Sequence, residues 1–383
     1  MKYVCEKDMC TGCMACVDVC STRAIIVHDD IESYNAVIDN ELCLGCNLCE
    51  KICPQNNPVE KKEPLGWLQG WAKDEIRCRG TSGGFTTAIM LSFLKNGGMV
   101  CACQCVNGEY IYKLTDKEYD IWRYTGSKYV KSNPTGAYKS IETCLSMGKR
   151  ILFVGLPCHV AALKKYIKNA INLYTIELIC HGTPSPRLLK KYIRETGIIS
   201  EDIKFRNKEC YNNNGYACIS SKGVLDYYTL AFLDGLIFTR NCYKCQYAQI
   251  ERIGDLMLGD SWGSDLPKEE IKKGISLAFY QNTKGKELLD KTELYRFDVD
   301  LEKAKRFNHQ LNEPTKKPKQ RKIFFNMINK NRKFKTALKR ALPKEYFKRN
   351  VKSMLIKLRI KKPTDMPYGI WVKINSDNSL FDA

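Results

Sequence analysis

The sequence predicts an α/β protein, α+β overall, in which a small cysteine-rich domain precedes a mixed α/β body and a basic helical C-terminal tail. Three observations predict it: a doubled cysteine spacing within residues 1–56, alternating short strands and helical patterns over residues 67–300, and an excess of lysine and arginine over residues 301–383. A chain of 383 residues can form two or three domains of this size.

The composition argues against an exported or membrane-spanning protein. No apolar run approaches the roughly 20 residues that a membrane-spanning helix needs. The first residues, Met1–Cys5, lead into charged residues and not into the apolar core of a signal peptide. We therefore expect a cytoplasmic protein whose twenty cysteines stay reduced, and clustered cysteines in that setting usually bind metal.

The cysteines of the first domain follow a repeated pattern. The spacing Cys-x2-Cys-x2-Cys-x3-Cys occurs twice and resembles that of bacterial ferredoxins with two 4Fe–4S clusters, in which the fourth cysteine of each run binds the other cluster. Zinc is the alternative, and the interlocked spacing disfavours it. Cys5 lies outside the pattern and is expected to take no part. The expected ligands are Cys10, Cys13, Cys16 and Cys53 for one cluster and Cys43, Cys46, Cys49 and Cys20 for the other.

After a proline-containing linker over residues 57–66, the body shows strand and helix patterns in alternation. Glycines, prolines and an Asn-Gly hairpin signal mark the ends of its segments. Such alternation predicts a sheet with parallel strands. We expect helices over residues 83–96, 133–148, 160–167 and 186–195, and strands over residues 99–106, 110–114, 151–154 and 173–179.

Two small-residue turns in the body are candidates for binding phosphate. The first precedes a helix, where free backbone N–H groups and the positive helix end attract anions. An ordinary helix cap explains the same residues, and the second turn, which adds a lysine, is a weak signal by itself. The two turns are Ser82, Gly83 and Gly84, preceded by Thr81, and Gly126, Ser127 and Lys128, followed by Tyr129.

Four further cysteines are candidates for a third metal site. Two of them follow apolar strands, at the sheet edge where α/β proteins collect ligand groups. The other two form a Cys-x2-Cys pair further along the chain. Buried thiols, or a zinc or redox pair, remain open alternatives, because the spacing is not diagnostic. The four are Cys158, Cys180, Cys242 and Cys245.

The order of these motifs over residues 1–265 resembles the coenzyme F420 hydrogenase/dehydrogenase beta-subunit family, in its bacterial form with an N-terminal ferredoxin domain. The resemblance implies a body that binds FAD and a third 4Fe–4S cluster. It implies FAD phosphate contacts at the two turns and cluster ligation by the four cysteines of the body. The motifs are Gly70–Arg77, Ser82–Gly84, Gly126–Tyr129, Gly155–Cys158, Cys180–Ser185, Cys242–Cys245 and Gly259–Gly263.

The function expected from this sequence is that of an iron–sulfur flavoprotein oxidoreductase. It would relay electrons between ferredoxin-type clusters and a two-electron carrier or substrate through a bound flavin. A redox partner protein or a small-molecule electron carrier is the expected partner. The alternatives are a flavin-free electron-transfer module and an accessory redox protein of surface-polysaccharide biosynthesis. No side chain is assigned as catalytic.

The basic C-terminal segment carries most of the charge of the protein. Residues 301–362 hold 22 lysines and arginines and three acidic residues, or +19 of the formal net charge of +20. We expect this segment to contact anionic lipid at the inner face of the membrane or an acidic protein partner, and the helical pattern over residues 344–360 leaves both open. No nucleic-acid-binding motif is present, and we expect no nucleic-acid partner.

Overall fold

The computed structural model describes residues 2–168, 170–198, 203–206, 216–218, 224–361 and 368–373. The described part has the mixed α/β fold that the sequence predicts, with one large mixed sheet covered by helices. Within the described ranges, no helix is both long enough and apolar enough to cross a membrane.

The N-terminal domain is a small three-stranded sheet with two short helices. The strands pair antiparallel in the order β1-β3-β2. Each helix follows the first cysteines of one repeat and ends just before the fourth, so the two repeats fold alike. The elements are β1 (Lys2–Tyr3), α1 (Ala15–Val19), β2 (Ile25–Asp29), β3 (Tyr34–Ile38) and α2 (Leu48–Ile52).

The strands after this domain form two sheets. Among the described residues, eight strands belong to the large sheet. The strands at Lys204–Arg206, Tyr216–Cys218 and Tyr368–Lys373 form a separate antiparallel sheet, in which Tyr368–Lys373 lies between the other two. These strands are β4 (Gly66–Trp71), β5 (Met99–Val106), β6 (Glu109–Thr115), β7 (Ile151–Gly155), β8 (Leu173–Leu178), β9 (Lys204–Arg206), β10 (Tyr216–Cys218), β11 (Leu256–Asp260), β12 (Ser276–Tyr280), β13 (Tyr295–Phe297) and β14 (Tyr368–Lys373).

The helices alternate with these strands through the body and then follow one another at the C-terminal end. Short 3-10 helices lie at Arg240–Lys244 and His309–Leu311. The α-helices are α3 (Asp74–Arg77), α4 (Phe85–Lys95), α5 (Glu118–Tyr124), α6 (Ala137–Ser146), α7 (Pro157–Tyr166), α8 (Pro186–Thr196), α9 (Tyr227–Leu233), α10 (Lys268–Lys273), α11 (Thr283–Asp290), α12 (Leu301–Phe307), α13 (Arg321–Asn329), α14 (Phe334–Ala341) and α15 (Pro343–Lys357).

The large sheet has the strand order β13-β4-β12-β11-β8-β7-β5-β6. Its centre, from β11 through β8 and β7 to β5, is parallel, and the strands on both sides of this centre pair antiparallel. The central strands β7 and β8 are mostly apolar and buried because helices cover both faces. Helices α4, α5 and α11 pack on one face, and α6 and α7 pack on the other. The carboxyl ends of the parallel strands therefore lie together at one edge of the large sheet.

Helices α13 and α14 pack into the body. Their apolar side chains join a core that α8 and α9 also supply, so this part of the basic segment is folded against the domain and is no free appendage. The lysines of the same helices, and Arg340, occupy their outer faces, whereas Arg321 is buried. The side chains that enter the core are Phe324, Phe325, Ile328, Phe334 and Leu338, all at most 4% exposed.

Candidate functional site

The first cysteine set of the N-terminal domain lines one small internal cavity. Cys10, Cys13, Cys16 and Cys53 meet there, which joins three cysteines of the first repeat to the fourth of the second. All four are buried. Gly12, at φ +68°, turns its backbone so that its N–H donates to the Cys10 Sγ atom at 3.4 Å. Such amide–sulfur hydrogen bonds are characteristic of cysteines that bind iron–sulfur clusters.

Cys5 also lies against this cavity, although the cysteine spacing gives it no role. Its thiol lies close to Cys10 and Cys53, and interaction with their thiols raises the pKa of Cys5. The interaction with Cys5 lowers the pKa of Cys53 to about 7. The pairing of β1 with β3 brings Cys5 to this place, and a motif based on spacing contains no signal for it.

The second cysteine set lies closer to the surface. Backbone amides again point at sulfur: Gly45 N donates to Cys43 Sγ at 3.4 Å, and Ala24 N donates to Cys20 Sγ at 3.3 Å. Cys46 is exposed, whereas the other three cysteines of this set are half-buried. A cluster held here would therefore lie nearer to solvent than one held by the first set.

The four cysteines of the body also share a cavity. Cys158 lies in the first turn of α7, directly after β7, and Cys180 follows β8. Cys242 and Cys245 belong to the 3-10 helix at Arg240–Lys244 and its C-terminal cap. The four side chains line the same cavity, although they come from three separate parts of the chain.

The lining of this cavity includes two buried cations beside the cysteines. Burial raises the pKa of Cys158 well above its usual value and that of Cys180 to about 12, so these thiols stay protonated at neutral pH unless a metal holds them as thiolates. Lys131 and Arg252 line the cavity and are 3% and 2% exposed. Arg252 lies 3.9 Å from the carboxylate of Glu177.

This donor set fits a 4Fe–4S cluster. Four thiols supply the ligands that such a cluster takes, and two buried positive charges offset its negative charge. The Nε atom of Arg252 is buried without a hydrogen-bond partner within the described residues and lies 3.9 Å from Glu177 Oε1. A buried donor of this kind is costly unless a group at the site accepts its hydrogen bond.

A second, much larger cavity opens at the carboxyl edge of the parallel strands. Its volume is about 610 Å³, enough for a nucleotide cofactor. The N-terminus of α4 faces it, together with residues that follow α5 and β7. Five of the six residues in the candidate phosphate turns line this cavity: Ser82, Gly84, Gly126, Ser127 and Lys128.

Gly83 is the exception, because it packs inside the protein. A Cβ atom at Gly83 would lie 2.3 Å from the carbonyl oxygen of Gly70 and 2.5 Å from the backbone nitrogen of Ser276. A glycine is therefore required to seat the start of α4 against β4 and β12. The structure gives Gly83 this packing role and leaves the cavity wall to Ser82 and Gly84.

Lys128 has a structural use as well as a position at the cavity. Its Nζ atom donates to the carbonyl oxygens of Tyr124, Thr125 and Gly126 at 2.8, 3.0 and 3.0 Å. An ammonium group has three hydrogens, so these contacts occupy all its donors. Lys128 caps the end of α5 and brings positive charge to the cavity without a free donor. The hydroxyl of Ser127 links this turn to Thr81 at 3.1 Å.

Other polar residues of the cavity wall come from distant parts of the chain. Arg206 donates to the carboxylate of Asp260 at 2.6 Å and lies 5.5 Å from the centre of the Trp262 ring. His181 and His309 complete this wall, and burial lowers the pKa of His181 to about 4. Arg206 comes from the separate small sheet, so no local motif connects it with the site. The glycine-flanked turn that holds Asp260 and Trp262 was a visible signal.

The cavities adjoin one another in series. Thr11 and Gln55 line both the N-terminal cysteine cavity and the cavity of the four body cysteines. Leu156 and His181 line both that cavity and the large one. Single layers of side chains therefore separate the inner N-terminal set, the body set and the large cavity.

Comparison with known proteins identifies the families of the two domains. A model of the 4Fe–4S dicluster domain matches residues 9–57. The N-terminal model of the coenzyme F420 hydrogenase/dehydrogenase beta subunit matches residues 67–137, and the C-terminal model matches residues 148–299. No curated protein matches the chain.

One similar solved structure is titled as a xenon derivative of the F420-reducing [NiFe] hydrogenase complex from Methanosarcina barkeri. The identity is 16% and the TM-score 0.47, over 67% of this chain and 97% of that chain.

The matched domains define an iron–sulfur protein of the oxidoreductase class. Its N-terminal domain is of the kind that holds two 4Fe–4S clusters. Within that class, the chain belongs to the coenzyme F420 hydrogenase/dehydrogenase beta-subunit family.

Proposed function

We propose that this protein is an iron–sulfur flavoprotein that relays electrons between ferredoxin-type clusters and a two-electron carrier. The observation that carries the proposal is the series of adjoining cavities. Two cysteine-lined cavities and one nucleotide-sized cavity share their walls, through Thr11 and Gln55 at one junction and Leu156 and His181 at the other. Such a series keeps each transfer short.

The proposed path begins at the outer cysteine set. Because Cys46 is exposed, a cluster held there can exchange single electrons with a redox partner protein. The inner set follows, and the four body cysteines then stand between it and the large cavity. Within this proposal residues 1–56 form the ferredoxin domain and residues 57–66 the linker. Residues 67–300 form the flavin and iron–sulfur domain, and residues 301–383 the basic extension.

The residues of the large cavity support FAD as its occupant. The start of α4, with Ser82 and Gly84, offers backbone N–H groups to phosphate, and the turn at Gly126 and Ser127 faces the same space. A bound flavin supplies the exchange between two-electron and one-electron chemistry. The wall formed by Arg206, Asp260 and the two histidines leaves a polar face for the carrier, for which a deazaflavin or nicotinamide is the proposed chemistry.

The test removes one cysteine of the body set. Cys242→Ala, prepared anaerobically, is expected to lose about four of about twelve irons, because a cubane needs its four thiolates. The loss should also stop reduction of the flavin by reduced ferredoxin, whereas chemical reduction of the flavin by dithionite should persist.

A matched control is Cys144→Ala, which changes a half-buried cysteine outside the cavities. It should keep the full iron content and electron transfer. An unchanged iron content in the Cys242→Ala variant would contradict ligation by Cys242. Wild-type protein without flavin and with about eight irons would favour the flavin-free electron-transfer module instead.

A further inference from the structure

Helix α15 is fixed to the body along one face. The ring of Tyr346 stacks on Tyr227 of α9, with 5.4 Å between ring centres. The Tyr227 hydroxyl donates to Asn350 Oδ1 at 2.9 Å, and Arg349 Nε donates to the Leu225 carbonyl oxygen at 3.0 Å. These contacts set the orientation of the helix, so its other faces are held in defined directions.

A neighbouring face of the same helix presents an apolar stripe to solvent. Phe347, Val351, Met354 and Leu358 recur at intervals of three and four residues, which places them in one row along the helix. Phe347 is 68% exposed, Met354 53% and Leu358 60%. Most apolar residues of α13 and α14 are buried in the core, and Ile323, at 43%, is a single exposed one, so the exposed row distinguishes α15 from the two helices before it.

Basic side chains border this stripe. Lys344 and Lys348 lie along the row next to the apolar one, by helical spacing, and Arg359 follows the end of the helix; all three are exposed. Glu345 is the one acidic residue of the helix. The rest of the chain outside residues 301–362 is close to neutral, so the positive charge is concentrated around this segment.

We propose that α15 binds the surface of an anionic phospholipid bilayer. In a bilayer a layer of phosphates covers a layer of acyl chains, and the helix offers lysines and an apolar row side by side to match them. The helix would lie in the plane of the interface, with its apolar row inserted and the long basic side chains reaching the phosphates. Charge alone would suffice for an acidic protein partner or a nucleic acid, and neither requires the exposed apolar row.

The test measures co-sedimentation of the full-length protein, prepared anaerobically, with vesicles. Vesicles of phosphatidylglycerol and phosphatidylcholine should bind the protein, and pure phosphatidylcholine vesicles should bind it at least about tenfold more weakly, because each basic residue near an anionic surface is worth about fivefold in affinity. The triple variant Phe347→Ser, Met354→Ser and Leu358→Ser should lose at least about tenfold in binding to the anionic vesicles.

A matched apolar control changes exposed residues on other parts of the surface, Met147→Ser and Ile171→Ser, which are 69% and 81% exposed in the wild-type protein. A matched charge comparison sets Lys344→Gln, Lys348→Gln and Arg359→Gln against Lys95→Gln, Lys113→Gln and Lys139→Gln. The α15 charge variant should weaken binding about tenfold or more, and both controls should bind like the wild type.

Several results would overturn the proposal. They are an absence of vesicle binding, equal binding to neutral and anionic vesicles, and a triple serine variant that binds like the wild type. Salt-sensitive binding to nucleic acid or to an acidic protein without vesicle binding would assign the charge to that partner instead. The test is independent of the proposed electron path, because iron content and flavin spectrum should be the same in all these variants.

Discussion

At the scale of single residues, Lys131 is one of the side chains that join the N-terminal domain to the body. It is 3% exposed, and its Nζ atom donates to the Thr11 carbonyl oxygen at 2.9 Å and lies 5.3 Å from the centre of the Tyr34 ring. Its charge interacts electrostatically with Cys10 on one side and with Cys158 on the other. A buried ammonium is costly unless negative charge lies close by, and clusters at both cysteine sets would supply that charge.

Replacement of Lys131 by methionine is expected to lower the reduction potentials of the clusters on both sides. A positive charge stabilises the more negative, reduced state, so its loss should lower each reduction potential by on the order of 50 mV, or about 1 kcal/mol for one electron. Potentiometric titration followed by electron paramagnetic resonance measures this shift. Lys131→Arg keeps the charge and should keep the potentials. Equal shifts in both variants would show that packing, and not charge, is responsible.

Glu177 is a second buried charge whose effect can be measured. It is completely buried near Arg252, and burial raises its pKa to about 7. The folded protein therefore holds a proton on Glu177 between about pH 4.5 and 7, where the unfolded chain has released it. This group therefore stabilises the folded state at low pH, and the stabilisation is lost as the pH rises through about 7.

The substitution Glu177→Gln should remove this dependence. The free energy of unfolding of the variant, measured relative to that of the wild type, should be about 3 kcal/mol higher at pH 8 than at pH 5, since one pKa unit corresponds to about 1.4 kcal/mol. Urea unfolding under anaerobic conditions at several pH values measures the difference. A difference between the two proteins that is constant over this pH range would show that Glu177 does not titrate there.

At the scale of elements, helices α14 and α15 differ in the burial of their aromatic side chains. Phe334 at the start of α14 is completely buried in the core with α8 and α9, whereas Phe347 on α15 is 68% exposed. The sequence shows both as aromatic residues among lysines. It cannot distinguish them, because burial depends on which neighbouring helix each one meets.

A pair of alanine substitutions tests this difference. Phe334→Ala should lower the free energy of unfolding by about 3–5 kcal/mol, because it leaves a cavity in the core. Phe347→Ala should change it by less than about 0.5 kcal/mol, as is usual for exposed positions. Chemical unfolding followed by circular dichroism measures both. Equal effects of the two substitutions would contradict the packing of α14 in the core.

Helices, strands and turns can be predicted from the sequence where the residues that define them lie close together along the chain. Asn107 and Gly108 both have positive φ and form the two-residue turn between β5 and β6, as their sequence predicts. The apolar runs of β7 and β8 also predict buried strands correctly. The strand β12 at Ser276–Tyr280 is not predicted from the sequence, because a short apolar run cannot be assigned to strand or helix without its sheet partners.

At the scale of the whole molecule, the candidate site combines local and distant parts. Cysteine spacing identifies the N-terminal sets from the sequence because each repeat supplies three cysteines within a few residues. The wall with Arg206 and His309 could not be predicted, since these residues are over 100 positions apart and only the folded chain brings them to one cavity. The role of Gly83 likewise depends on its contacts with the distant strands β4 and β12.

The most direct test of the central claim is the cofactor content of the wild-type protein purified without oxygen. Iron, acid-labile sulfide and flavin are measured per chain. We predict about twelve irons, about twelve sulfides and about one FAD, because the proposed function requires three cubanes and one flavin per chain. A colourless protein that contains zinc or no metal in place of iron and sulfide would contradict the account.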